Sequence, residues 1–344
     1  MRIMGRPRAL VAVVAGALLL AGCGSGPSQV GSAVIVGDRS VGIDRVQSMI
    51  DQAVREQPYA QKLASEHKLD LLGREIVRQT VLHELVLRAA KQENLVADQT
   101  KIAQKAATQT STPVKDTGQG DQVAVSQMVA NLRDRTERAT DTYFEQELAN
   151  KLLPKLSVGA DYVGISATSE TDPEARARAF DLAKQFSADP GKIQGTIQQA
   201  SQEAQQAQQT GAPGPGGFSD AGLTELFGAS QYPSLAQTAL FGSAANSVVV
   251  FQARMPSKPD WYVFVVRTRG TDKAVPADQE AQKPTDELLT AIGIRLLQPY
   301  LGQTGLRVNP RYGVWDVVSM NLVPNQDATK GIVLPLRGAA PAQQ

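Results

Sequence analysis

Histidine, cysteine and aromatic residues are scarce in this chain. Of 344 residues, two are histidine (His67 and His83), one is cysteine (Cys23), and 5% are Phe, Trp or Tyr. A single cysteine forms no intrachain disulfide and no CxxC pair, which excludes a dithiol redox centre and a cysteine-rich zinc site. His83-Glu84 is followed by Leu85-Val86-Leu87 and so lacks the second histidine of an H-E-x-x-H metal motif. His83 lies among apolar residues of a helical pattern, the setting of a histidine satisfied at the edge of a core. A nucleophile elbow, a Walker loop and a dinucleotide fingerprint are all missing. The stretch "GAPGPGG" (211–217) is no phosphate cradle, because its prolines remove backbone donors. A formal charge of +1 gives no basic face for nucleic acid. Carboxylates alternate with basic neighbours along helical segments, the pattern of solvated surface. No cofactor, metal or catalytic constellation is expected from the residue inventory.

What is present begins with an export-type leader. Arg2, Arg6 and Arg8 precede an uncharged apolar run from Ala9 to Gly22. That run is too short for a helix crossing ~30 Å of hydrocarbon. It ends in Leu20-Ala21-Gly22-Cys23, which resembles a bacterial lipobox. The resemblance implies a signal peptide at 1–22, lipid on the Cys23 thiol and a Gly/Ser-rich tether at 23–33. It places the chain on the outer, extracytoplasmic face of the cell membrane. Two acyl chains anchor stably where one holds marginally, at ~0.8 kcal/mol per buried methylene.

Beyond the tether, Ala33 to Val36 reads as a short strand, Gly37-Asp38 as its turn, and Ile43 to Val54 as a helix with Asp44 in its first turn. Leu72, Ile76, Leu82, Leu85 and Ala89 recur at helical spacing, and Val77, Val81 and Val86 broaden that face. A face so wide belongs to a central helix packed on more than one neighbour. Asn94 punctuates its end, and Asp98 is placed to cap the next helix. A polar loop (110–121) leads into one amphipathic segment from Val123 to Leu156, stopped by Pro154. From Asp161 the pattern changes. "DYVGISA" is strand-like, and Asp172-Pro173 opens a helix with Ala175, Ala179, Leu182, Ala183 and Phe186 inward. Residues 194–210 are Gln-rich and low in complexity, and they run into a flexible Gly/Pro break. "YPSLAQTALF" reads as helix, "SVVVFQ" and "WYVFVVRTR" as strands, and Gly270 closes the unit. A last helix carries Leu288, Leu289, Ile292, Leu296 and Tyr300 on one face, followed by an extended tail.

This order resembles SurA-like and PrsA-like extracytoplasmic folding factors. The N-terminal likeness rests on "SAVIVGDRSVGIDRVQSMI" and "GREIVRQTVLHELVLRAAKQENLVADQTKI". The unit at 158–271 resembles a parvulin domain: "DYVGISA" as first strand, "EARARAFDLAKQF" as first helix, "PGGFSDAGL" at a Gly-Gly turn, "YPSLAQTALF" as later helix, "WYVFVVRTR" as closing strand. The resemblance implies an α+β, mostly α, fold. A helical chaperone-type domain at 34–157 would be completed by a helix returning from 272–344, which also holds an extended tail, with the parvulin-like domain inserted between. Active parvulins carry a histidine on the first strand and another on the last. The matching positions here are Tyr162 and Tyr262, and no histidine follows His83. Leu235 and Phe241 match the family's hydrophobic groove floor.

Three functions follow as expectations. The first is a membrane-tethered chaperone that holds unfolded exported chains, whose exposed apolar segments otherwise aggregate. The second is a peptidyl-prolyl isomerase with Tyr162, Leu235, Phe241 and Tyr262 in its groove, working on a barrier of ~18–20 kcal/mol. The third is an envelope interaction protein docking through Arg311, Tyr312 and Trp315, residue types enriched at hot spots; alternatively, the same aromatics pin the tail onto its own domain. The chaperone, without catalysis, is the preferred expectation.

Overall fold

A computed structural model describes residues 31–210, 216–254, 259–273 and 284–338. Cys23, the leader and most of the tether lie outside these residues, whereas Ser32 and Ala33, at the end of the expected tether, already belong to a strand. The fold is α+β.

The chain opens with a hairpin, β1 (Ser32–Val36) and β2 (Arg39–Gly42), turned at Gly37 where φ is +65°. Helices α1 (Ile43–Glu56), α2 (Pro58–Ser65) and α3 (Leu69–Gln92) follow. Helix α3 is central. Its eight expected apolar positions are all buried, and it packs on α1, β1 and several later elements. It ends in a Schellman arrangement: Asn94 takes φ +52°, its N–H donates to Lys91, and the Leu95 N–H reaches back to Ala90 at 2.8 Å. Asp98 caps α4 (Gln99–Thr108) by accepting from the N–H groups of Thr100 and Lys101. The expected single segment from Val123 to Leu156 is two helices, α5 (Asp121–Leu132) and α6 (Arg135–Leu152). The break comes at Asp134, whose carboxylate accepts from the Glu137 N–H at 2.9 Å and starts a new helix.

A five-stranded antiparallel sheet forms the second layer, built from β3 (Ser157–Ile165), β4 (Phe218–Gly228), β5 (Ser247–Arg254), β6 (Pro259–Gly270) and β10 (Gly331–Pro335), in the order β10-β5-β6-β3-β4. Between β3 and β4 lie α7 (Pro173–Ala188), capped by Asp172, and α8 (Ile193–Thr210). The Gln-rich stretch is therefore ordered helix. Ile193, Ile197, Ala200 and Ala204 recur at helical spacing, are buried, and hold α8 in place. "PGGFSDAGL" does turn at Gly217 (φ +62°), but Phe218 onward is edge strand. Short helices α9 (Pro233–Ala236) and α10 (Ala239–Gly242) precede β5. The sheet is covered on both sides, which explains the unbroken apolar run of β6. Val163, Val248, Val250, Val263 and Val265 face α7 and α8; Phe251, Tyr262, Phe264 and Val266 join the core shared with the helical body.

Thr285 caps α11 (Asp286–Leu296), which lies along α6, and α12 (Gln298–Thr304) follows. β7 (Arg307–Val308) pairs with β1, so strand residues about 270 positions apart share one small sheet, β2-β1-β7. The tail then forms the hairpin of β8 (Val314–Asp316) and β9 (Asn321–Val323) before β10 joins the larger sheet. That edge strand comes from beyond residue 271. Among the described residues no helix is long and apolar enough to cross a membrane.

Candidate peptide-binding site

Antiparallel register decides which aromatic side chains meet. Tyr162 on β3 lies opposite Phe264 on β6, Tyr262 lies two residues before Phe264, and Phe251 on β5 lies opposite Tyr262. Residues opposite each other, or two apart, share a face. All four rings therefore project to one side. Phe251 and Phe264 stack at 5.4 Å, Tyr162 lies 5.6 Å from Phe264, and the centroids of Tyr162 and Tyr262 are 6.5 Å apart. The ladder continues outward: Tyr162 meets Phe227 edge-on at 6.1 Å, and Phe227 meets Tyr232 at 6.0 Å. It thus runs from Tyr262, 1% exposed, to Tyr232, 49% exposed. Gly222 makes room for it, since a Cβ there would sit 2.5 Å from the Tyr162 ring.

The Tyr162 hydroxyl donates to Asp220 at 3.2 Å. Burial, then the Asp220 charge, pushes its pKa well above the ordinary tyrosine value. Burial likewise raises Tyr262, with Asp260 and Asp220 adding to it. Both phenols stay protonated across physiological pH and can act only as neutral hydrogen-bond donors or acceptors.

The four expected groove residues belong to one apolar cluster, but they do not line an open groove. Phe241 on α10 is fully buried, Tyr262 is 1% exposed and Leu235 on α9 is 8% exposed. Packing of α9 and α10 between the sheet and α11 removes them from solvent. Only Tyr162 is partly accessible. The accessible part of the site comes from Phe227 and Tyr232, which sequence reading does not single out: Phe227 falls between PGGFSDAGL and YPSLAQTALF with no element assigned, and Tyr232 opens the segment read as helix. Phe264 was in principle visible, two residues after Tyr262 in a strand.

The expected docking strip is a seam rather than a free surface. Arg311 is exposed, but Tyr312 is buried against Gly73 of α3, where a Cβ would meet its ring at 3.1 Å. Trp315 is half-buried, and its indole Nε1 is inaccessible. Two of the three anchors pin the tail onto the helical body.

Carboxylates are less uniformly superficial than their sequence pattern implies. Glu75, Asp141, Glu145, Asp161, Glu203, Asp260 and Asp316 are buried. His83 Nδ1 lies 2.7 Å from Asp141 Oδ1, a bond that raises the histidine pKa against the opposing effect of burial. His83, Glu137 and Asp141 bring potential ligand atoms within 4.8 Å of one another. Arg133 already bridges those carboxylates, at 2.6 Å to Glu137 and 2.5 Å to Asp141. Its positive charge already pairs with both carboxylates.

No family model matches this chain, and no curated protein matches it.

Proposed function

We propose that this chain is a membrane-tethered, extracytoplasmic folding factor. It holds unfolded segments of exported polypeptides through the outer end of its aromatic ladder, without catalysis. The observation that carries the reading is the run Tyr262–Tyr162–Phe227–Tyr232, rigid at its buried end and open at the edge strand β4. Aromatic side chains offer large contact area at small entropic cost, and an edge strand leaves backbone groups for an extended client. Further support comes from α11 lying along α6 of the helical body, in keeping with the returning helix that the SurA/PrsA resemblance implies. The lipid on Cys23 would keep the holder where exported chains emerge.

The test is refolding of a proline-limited, aggregation-prone client, recording rate and yield together. Holding raises the yield and leaves the slow phase unchanged, and Tyr232→Ser removes most of the gain. A gain that survives Tyr232→Ser places the binding surface elsewhere.

A second reading, prolyl isomerisation, draws on the adjacency of two protonated phenols on neighbouring strands. It requires the slow phase to accelerate, and the double change Tyr162→Phe, Tyr262→Phe to abolish that acceleration. The third, docking through residues 311–315, keeps Arg311 as its one exposed anchor. A client assay with no change in rate or yield would favour it.

A further inference from the structure

Away from the aromatic ladder's open end, a cavity of about 460 Å³ lies between the sheet, α11 and the C-terminal tail. This is within the usual size range of small-ligand sites. Its buried end holds a cation that the fold does not neutralise. Arg295 on α11 is 5% exposed. Its Nε donates to Gln237 O at 2.9 Å, Nη1 to Gln298 Oε1 and Val317 O at 2.6 and 3.0 Å, and Nη2 to Val318 O at 2.5 Å. Every acceptor is a neutral carbonyl. A guanidinium has five N–H donors, so one remains on Nη2. Asp316 acts on Arg295 only through space, because its oxygens accept from the Val318 and Lys330 N–H groups and the Ser319 hydroxyl. Burial pushes the arginine down to about 10, a measure of how poorly the site compensates its charge.

A second donor is unspent at the same cavity. The Trp261 indole N–H is buried and without a hydrogen-bond partner, on a side chain 5% exposed. Two further cations line the wall, Arg176 and the exposed Lys330. The lining carboxylates are Glu170, which is ion-paired with Arg254, and Asp327. The remaining wall includes apolar side chains, Phe251 and Val318 among them. A buried cation is costly unless a partner neutralises it, and a carboxylate does so.

We propose that this cavity binds a carboxylate attached to an apolar body, with the carboxylate held by Arg295, Lys330 flanking it, and the body against Phe251 and Val318; Trp261 in the wall reports on its arrival. The acid is either a free small molecule or the C-terminal end of a polypeptide. The inference is independent of the holding function proposed above.

The experiment uses the full chain carrying Trp315→Phe, so that Trp261 is the only tryptophan emitting. It is titrated with 3-phenylpropionate, with the neutral 3-phenylpropionamide, and with Ala-Ala-Phe as free acid and as amide. The expected result is a saturable change in Trp261 emission with at least one acid, and binding at least tenfold weaker for its amide. Lys330→Gln, at an exposed position, weakens the acid several-fold and leaves the amide unchanged. Response to the small acid alone assigns a free ligand; response to the peptide acid alone assigns a chain terminus. Equal binding of acid and amide overturns the proposal, as does the lack of any saturable change, or indifference of acid binding to Lys330→Gln. Arg295→Met also removes the bonds that hold the tail, so the lysine variant carries the test.

Discussion

Gly293→Ala is the most direct probe of how the C-terminal segment joins the helical body. Gly293 lies within α11 where that helix crosses α6, and a Cβ built on it would run into the Glu145 carbonyl group. It would sit 2.5 Å from the carbonyl carbon and 2.8 Å from Glu145 Cα. Comfortable carbon–carbon separations are about 3.5–4.0 Å, so the helices must part by roughly 1 Å. The obstacle is backbone and cannot rotate aside, which puts the overpacking cost near the upper end of its range, about 3 kcal/mol. Replacing glycine inside a helix returns about 1 kcal/mol. The net expectation is a loss of about 2 kcal/mol, read as a lower urea midpoint. Gly302→Ala on α12 is the matched control: its Cβ meets nothing within 4 Å, so only the propensity gain of about 0.5–1 kcal/mol remains and the midpoint rises. The two glycine-to-alanine changes therefore move stability in opposite directions. If Gly293→Ala were neutral or stabilising, α11 would not pack on α6 at this distance, and the return of the C-terminal helix would be wrong.

Other consequences are equally concrete. Burial, with Asp141 adding to it, raises the Glu145 carboxyl from 4.5 to about 8. The folded chain then holds this proton more tightly than the unfolded one, so its contribution to stability falls as pH rises from about 4.5 to about 8 and is constant above. Glu145→Gln should raise the urea midpoint more at pH 8.5 than at pH 5, and equal shifts would refute the assignment. Asp172 is pulled down to about 2 by the N–H groups of Ala175 and Thr168 that it accepts. Asp172→Ala should lower the melting temperature at pH 7, with the gap to the parent closing as pH falls through about 2. With Trp261→Phe in the background, Trp315 should resist acrylamide quenching, and Tyr312→Ala should expose it; ready quenching before that change would restore residues 311–315 as a docking surface. Cys23→Ala should move the chain from the membrane to the soluble fraction, and retention would refute lipid attachment at that thiol.

Local signals in the sequence proved reliable where one short stretch decides the structure. Asp98 and Asp172 cap the helices they are read to start, and Asn94 ends α3 in the left-handed conformation. The errors arose where composition masked periodicity. Glutamine dominates residues 194–210, yet Ile193 just before that stretch and Ile197, Ala200 and Ala204 within it bury α8 against the sheet. The α5–α6 break was missed because apolar spacing continues past it, although Asp134 followed by Glu137 is a helix-start signal. Tyr162 and Tyr262, paired in the sequence only through the parvulin resemblance, have ring centroids 6.5 Å apart on neighbouring strands. Their accessibility was not legible, because α9, α10 and α11 cover the face from different parts of the chain.

That last failure is general to this fold. Its decisive contacts are long-range: β1 with β7, β10 with β5, Tyr312 against α3, Arg295 against the carbonyls of residues 317 and 318. Each strand involved is five residues or fewer except β5, too short for a period of two to reveal its partner. Two glycines nonetheless mark such contacts in the sequence. Gly73 and Gly293 interrupt helical patterns where alanine would be favoured by propensity: at Gly73 the Tyr312 ring comes within tight contact of a Cβ, and at Gly293 the Glu145 backbone leaves no room for one. A glycine inside a helical pattern thus tells where a neighbour approaches but not which one. The identity of the neighbour, Tyr312 in one case and Glu145 in the other, enters only with the tertiary structure, and with it the closure that holds Arg295 and Trp261 at one cavity.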